Sequence, residues 1–118
     1  MTIRDLQDTL AQFARERDWD QFHTPKNLAM ALSGEAGEVL ELFQWLTPEQ
    51  SDALTSQPEG GKALRQELAD VFAYLLRLAD VTGIDLEEAL AEKIELNRHR
   101  YPVDLAYGRA EKYTKLGA

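Results

Sequence analysis

The sequence predicts an all-α protein, and three observations carry that prediction. Four long segments space their apolar residues as helices do, two of them open on a side-chain cap, and no segment alternates apolar and polar residues as a strand would. The first helix is read over Ile3 to Arg17, where Ile3, Leu6, Leu10, Phe13 and Ala14 fall on one side. Trp19 to His23 breaks that spacing. Thr24 then offers an N-cap oxygen, and Pro25 suits the first helical position because its missing N–H has no partner there anyway. A second helix should run from there to about Leu46. Thr47-Pro48-Glu49-Gln50 repeats the signal, with Gln50 placed to close a capping box, and predicts a short helix over 48–55. Residues 56–61 are expected as a mobile loop. A third long helix is read from Lys62 to Val81, stopping at the C-cap glycine Gly83. Asp85 with Glu88 opens the fourth, which must end near Tyr101 because Pro102 disfavours a helical residue before it. Residues 101–118 are expected as an ordered or partner-draped tail. Four helices of this length make a bundle the natural architecture.

The length of 118 residues suits one domain with a real core, and the whole chain, 1–118, is read as a single domain. Its apolar share of 44% and charged share of 29% are those of an ordinary globular protein. No apolar run approaches the roughly 18 residues a membrane span needs, and the first residues already read as an amphipathic helix without a leader. A cytoplasmic location and no membrane partner are therefore expected. There are no cysteines, so thiolate chemistry is excluded and a metal would have to be held by oxygen or imidazole. The net charge of -8 argues against a nucleic-acid polymer as partner, since that needs a basic surface. A polyanionic substrate would need a cation, or a local basic cluster, to reverse the sign of the field.

Two helices carry acids where apolar residues belong. Successive helical residues turn by about 100°, which puts Leu28, Leu32, Val39, Leu42 and Leu46 in one stripe with Glu35 in its middle. Glu38 and Glu41 follow at three-residue steps, giving ExxExxE. The third helix has Leu64, Leu68, Val71, Leu75 and Leu78 as its stripe, with Glu67, Asp70 and then Tyr74 along the edge. A carboxylate in an apolar stripe is costly unless something positive meets it. If the two helices pack antiparallel, Glu35, Glu38, Glu67 and Asp70 converge, and Mg²⁺ or Mn²⁺ is the economical counter-charge. Acidic pairs three apart are common on solvated faces. The register of Glu35, the recurrence of the pair, and two mid-helix glycines, Gly34 and Gly37, weigh against that reading here. Neither His23 nor His99 follows a glutamate by three residues, so the histidine pattern of di-iron bundles is missing, as are phosphate-binding glycine loops and nucleophile elbows.

The spacing Glu35-x-x-Glu38 followed by Glu67-x-x-Asp70 resembles the signature of the MazG-type all-α nucleotide pyrophosphohydrolases. The stretches FARERDWDQFH, GEAGEVLELFQW, QELADVFAYL, NRHRYPV and KYT resemble, within that superfamily, the dCTP pyrophosphatases, and together they span nearly the whole chain. The resemblance implies hydrolysis of a deoxynucleoside triphosphate to monophosphate and pyrophosphate, with Mg²⁺ on Glu35, Glu38, Glu67 and Asp70. It leaves Glu41 either to orient or deprotonate the attacking water or to stand behind the ligands. It implies a base pocket drawing on Trp19, Phe22, His23, Trp45 and Tyr74, and phosphate contacts from Lys93, Asn97 and Arg100, with Arg109 and Lys112 of the tail as further cations. It also implies a homo-oligomer, tetramer ahead of dimer. One position departs from the pattern: Leu10 stands where related dCTP pyrophosphatases carry a histidine, nine residues before the tryptophan. The same reaction on dUTP or another non-standard nucleotide, and a non-catalytic helical scaffold, are the competing readings.

Overall fold

The computed structural model describes residues 1–117, and among them every regular element is helical. The long helices are α1 (Ile3–Glu16), α2 (Pro25–Phe43), α4 (Pro58–Thr82) and α5 (Leu86–Arg100). Short ones are α3 (Pro48–Ala53) and α6 (Val103–Ala106), with 3-10 turns at Asp20–Phe22, Leu54–Ser56 and Tyr113–Lys115. The chain divides into two compact units, Met1–Ile84 and the residues from Asp85 onward. No helix among the described residues is long and apolar enough to cross a membrane.

Caps set most of the boundaries. Thr2 and Asp5 form a reciprocal capping box at the start of α1, with bonds of 3.0 and 2.9 Å, and Thr47 with Gln50 does the same for α3. Thr24 Oγ1 accepts from the Asn27 amide at 3.2 Å ahead of Pro25, and Asp85 Oδ1 accepts from the Glu88 amide at 3.0 Å. Gly83 closes α4 in the left-handed region at φ 72°. Helix α2 ends at Phe43, earlier than the expected Leu46, because Thr47 must be extended before Pro48 and the chain turns ahead of it.

The loop expected at 56–61 is mostly helix. Pro58 takes the first position of α4, and the Gly61 amide already donates to the Gln57 carbonyl at 2.9 Å. The glycines serve contact rather than mobility. A Cβ on Gly60 would stand 2.6 Å from the Leu54 carbonyl oxygen, and one on Gly61 would stand 3.1 Å from that of Thr55. Their missing side chains let the start of α4 lie directly on the preceding 3-10 turn.

In the first unit α4 packs antiparallel to both α1 and α2. Contacts run from Arg4 with Asp80 to Gln7 with Leu76 on one side, and from His23 with Arg77 to Glu35 with Glu67 on the other. Leu28 and Leu76, each 1% exposed, are the largest fully buried side chains. Gln7, also buried, donates Nε2–H to the Leu76 carbonyl at 3.0 Å, so this polar group in the α1–α4 seam is satisfied.

The inner face of α2 is the one expected: Leu28, Leu32, Glu35, Val39 and Leu42 are all buried or partly buried, as is Leu46 just beyond the helix. On α4 the face is rotated. Leu64, Glu67, Val71, Tyr74 and Leu78 are partly buried, whereas Leu68 is 51% exposed and Phe72 and Leu75 also face outward. Both inner faces step by alternating threes and fours, the spacing of helices that pack nearly parallel or antiparallel to one another. Glu67 therefore sits within the seam, where the sequence had suggested an edge.

In the second unit, the Arg100 guanidinium lies 4.6 Å from the centre of the Tyr113 ring, a cation–π contact, and Tyr113 meets Tyr101 edge to face at 6.0 Å. The expected tail thus carries a short helix, a 3-10 turn and an aromatic anchor.

Candidate functional site

Three of the four predicted acids converge. Glu35 from α2 and Glu67 and Asp70 from α4 each offer a carboxylate oxygen, all within 4.8 Å of one another. Burial raises the Glu67 pKa above its ordinary value, and Asp70, then Glu35 and Glu41, add to the rise. Glu38 lies three residues on from Glu35, outside that cluster of three. Its pKa is also raised, first by Glu41, then by Glu67 and by burial. The arrangement is a concentration of negative charge that only a cation or bound protons can relieve. Oxygen donors without sulfur or imidazole favour a hard divalent ion, Mg²⁺ or Mn²⁺.

Next to it lies a largely apolar pocket of about 160 Å³. Leu10, Phe13 and Ala14 of α1, Trp19 and His23 of the connecting turn, and Asp70, Ala73, Tyr74 and Arg77 of α4 line it. Asp70 belongs to both the acidic cluster and the pocket, which joins the two into one site.

The pocket wall depends on a tight reversal after α1. Asp18 takes φ 55°, a left-handed conformation that aspartate tolerates better than most residues, and Gln21 Nε2 donates to its carbonyl and carboxylate, each at 3.1 Å. The turn brings the Trp19 amide onto the Ala14 carbonyl at 2.9 Å. It seats the Trp19 ring edge-on to Phe13 at 5.7 Å and near His23 at 6.4 Å.

The predicted pocket residues thus divide. Trp19, His23 and Tyr74 meet in the pocket, together with Leu10. Phe22 and Trp45 are not part of its lining; both are exposed, Trp45 at 86%, just past the end of α2. Lys93, Asn97 and Arg100 lie on α5, and Arg109 and Lys112 beyond it, all in the second unit. There Arg109 pairs with Glu111 at 2.9 Å while Arg100 covers Tyr113.

Four lining residues were missed from the sequence, Phe13, Ala14, Ala73 and Arg77, and Arg77 is the charged one among them. Arg77 donates Nε–H to His23 Nδ1 at 3.0 Å and an Nη2 hydrogen to Asp20 at 2.8 Å, with Asp80 3.7 Å from its other terminal nitrogen. A signal was present: Arg77 follows Asp70 by seven residues and Tyr74 by three, on the same face of the helix. Burial lowers the His23 pKa, the Arg77 charge lowers it further, and Asp20 opposes both.

An acidic cluster between antiparallel helices, opening into an aromatic pocket, defines an all-α ligand-binding protein with a place for a cation. The chain belongs to the MazG-like family, whose model matches residues 30–116. Over 115 residues it is 48% identical to the rat protein named dCTP pyrophosphatase 1 and 46% identical to the human one. Each of these matches covers 98% of this chain and 68% of the relative. The crystal structure of a pyrophosphatase from Archaeoglobus fulgidus superimposes with a TM-score of 0.78 at 40% identity, covering 84% of this chain and 91% of that one.

Proposed function

We propose that this chain is a magnesium-dependent nucleoside triphosphate pyrophosphohydrolase acting on dCTP or a modified dCTP. The observation that carries the reading is the convergence of Glu35, Glu67 and Asp70, the last of which also lines a pocket with Trp19, His23 and Tyr74. The names of the rat and human relatives support the choice of nucleotide.

Glu35, Glu67 and Asp70 would hold the ion, with Glu38 the fourth ligand reaching in from α2; manganese is a suitable substitute. When bound, the ion supplies Lewis-acid stabilisation of the phosphate oxygens and lowers the pKa of water. Hydrolysis breaks the bond between the α-phosphorus and the oxygen bridging to the β-phosphorus. Water oxygen ends on the monophosphate, and pyrophosphate leaves. Glu41, whose charge is felt at both Glu38 and Glu67, is assigned to orient the water and accept its proton. Trp19 and Tyr74 offer flat surfaces to the base, and His23 a polar contact. Phe22 and Trp45 are assigned to the base from an exposed position, to be covered when substrate is bound. Lys93, Asn97 and Arg100 are assigned to the phosphates, with Arg109 and Lys112 as further cations.

The whole chain is assigned to one functional domain located in the cytoplasm, and the protein to a homo-oligomer, tetramer ahead of dimer. The outward Leu68, Phe72 and Leu75 of α4, with Met30 and Leu40 of α2, are apolar surface of the kind that self-association covers. Leu10 favours a second reading of the nucleotide. It puts an apolar side chain into the pocket at the position that departs from related sequences, so dUTP or another non-standard pyrimidine is the nearest alternative.

The deciding experiment incubates the protein and Mg²⁺ with a panel of unmodified, 5-methylated and oxidised triphosphates and identifies the products. Monophosphate and pyrophosphate from a cytosine nucleotide, with little turnover of purines, is the expected result. Preference for a purine would overturn the pyrimidine assignment, and no turnover on any member would leave the scaffold reading.

A further inference from the structure

We propose that Arg77 is a positioning residue that holds His23 in a single tautomer, so that the pocket presents a fixed N–H donor to an acceptor atom of the base. The inference rests on the pyrimidine-nucleotide reading above and adds to it the means by which His23 is prepared.

The argument begins with what each group can do. An arginine guanidinium has only donors and stays charged at any working pH. Its Nε–H lies 3.0 Å from His23 Nδ1, so that ring nitrogen must be the acceptor and carry no proton. The neutral ring then has its proton on Nε2. Protonating both nitrogens would set one N–H against another beside a positive charge, and burial and Arg77 both lower the His23 pKa accordingly. No other hydrogen bond to the ring is made among the described residues, so Nε2–H is available to a ligand in the pocket that His23 lines.

The arginine is itself held. Nη2 pairs with Asp20 at 2.8 Å and Nη1 faces Asp80 at 3.7 Å, while Asp80 also takes Arg4 of α1 at 3.1 Å. Each of the three guanidinium nitrogens thus has its own direction, and the side chain is only 11% exposed. The planar fork fixes all three directions at once, which a lysine ammonium does not do. Such an anchor removes the freedom of the imidazole to offer an acceptor in place of a donor. The ligand class that suits the result is a base edge with an unprotonated ring nitrogen or carbonyl oxygen, as cytosine has at N3 and O2.

The test reads the tautomer first. Long-range proton–nitrogen NMR on the ¹⁵N-labelled chain without nucleotide should show His23 protonated at Nε2 only, in contrast to the averaged pattern of an imidazole that exchanges between its two tautomers. Arg77→Met should give His23 that averaged pattern. It should also raise KM for dCTP about tenfold, the scale of one lost hydrogen bond, with kcat changed less than about threefold. Asp20→Asn, on a half-exposed turn and so no threat to folding, should shift both readouts in the same direction by a smaller amount. In a His23→Gln background, where an amide donor needs no tautomer, Arg77→Met should change KM by less than about twofold. A proton on Nδ1 in the unmodified protein overturns the proposal. So does a His23 signal unmoved in both Arg77→Met and Asp20→Asn, or a KM rise undiminished in the glutamine background. The tautomer is read without substrate, so a failed nucleotide assignment is recognised separately; KM is then followed on whichever nucleotide the unmodified chain hydrolyses.

Discussion

Replacing Glu67 with glutamine is expected to lower magnesium-dependent pyrophosphate release by about 10²–10³-fold, the scale for losing one preorganised charge at a reaction centre. The same change should raise the melting temperature of the metal-free protein. Both effects come from one source. Burial, then Asp70, Glu35 and Glu41, raise the Glu67 pKa above its unfolded value of 4.5. A group whose pKa is raised by folding contributes stability that is full below the unfolded value and lost as pH rises through the folded one. Without metal, the ionised cluster is therefore a burden at neutral pH that eases on acidification, and Glu38 contributes in the same sense. Glutamine keeps the shape and removes the charge. Magnesium, binding the folded state alone, should raise the melting temperature of the unmodified chain and do so far less in the variant. Thermal melts with chelator and with magnesium, at neutral pH and near pH 5, measure each part. A variant that is less stable than the parent in chelator, or that retains full activity, would show that the charge at Glu67 does not have this role.

Leu76→Ala should cost about 2–5 kcal/mol, the range for truncating a buried leucine. Domains of this kind have only about 5–15 kcal/mol in total. Leu76 is 1% exposed, and its carbonyl receives the Gln7 bond that ties α1 to α4. It also immediately precedes Arg77, so a cavity here should loosen the arginine that holds His23. Urea unfolding should show a lower midpoint with an unchanged slope. A midpoint within the error of the parent would mean that the α1–α4 seam is not the main store of stability in this unit.

Much of this arrangement could be read from the sequence, because caps and spacing act locally. Thr24 with Pro25, Thr47 with Gln50, Asp85 with Glu88, and Gly83 each set a boundary through bonds within a few residues. Glu35 stood out because one charge interrupted an otherwise apolar stripe. Where the reading failed, the cause lay in contacts between elements. The glycines at 60 and 61 suggested a loose connection, yet their purpose is close approach to Leu54 and Thr55. The stripe read from the sequence joined Leu68 and Leu75 of α4 to Leu64, Val71 and Leu78. Packing against α2 selected the stripe through Leu64, Val71 and Leu78, carrying Glu67 inward. Arg77 looked like any helical cation, since its partners stand 54 and 57 residues earlier in the chain.

The two halves of the site are built by different pairs of helices. The acidic cluster needs only α2 and α4, whereas the pocket takes Leu10, Phe13 and Ala14 from α1. The side-chain bonds that fasten α1 to α4 are those of Arg4 to Asp80 and Gln7 to Leu76, both near its N-terminal end. The pocket-lining residues lie toward the other end, next to the reversal at Asp18. Local opening in proteins proceeds by such cooperative pieces. Partial detachment of this one helix would dismantle the compartment for the base while leaving the three carboxylates together. Recognition of the nucleotide and retention of the ion can therefore differ in their resistance to heat and denaturant, within a single small unit of the chain.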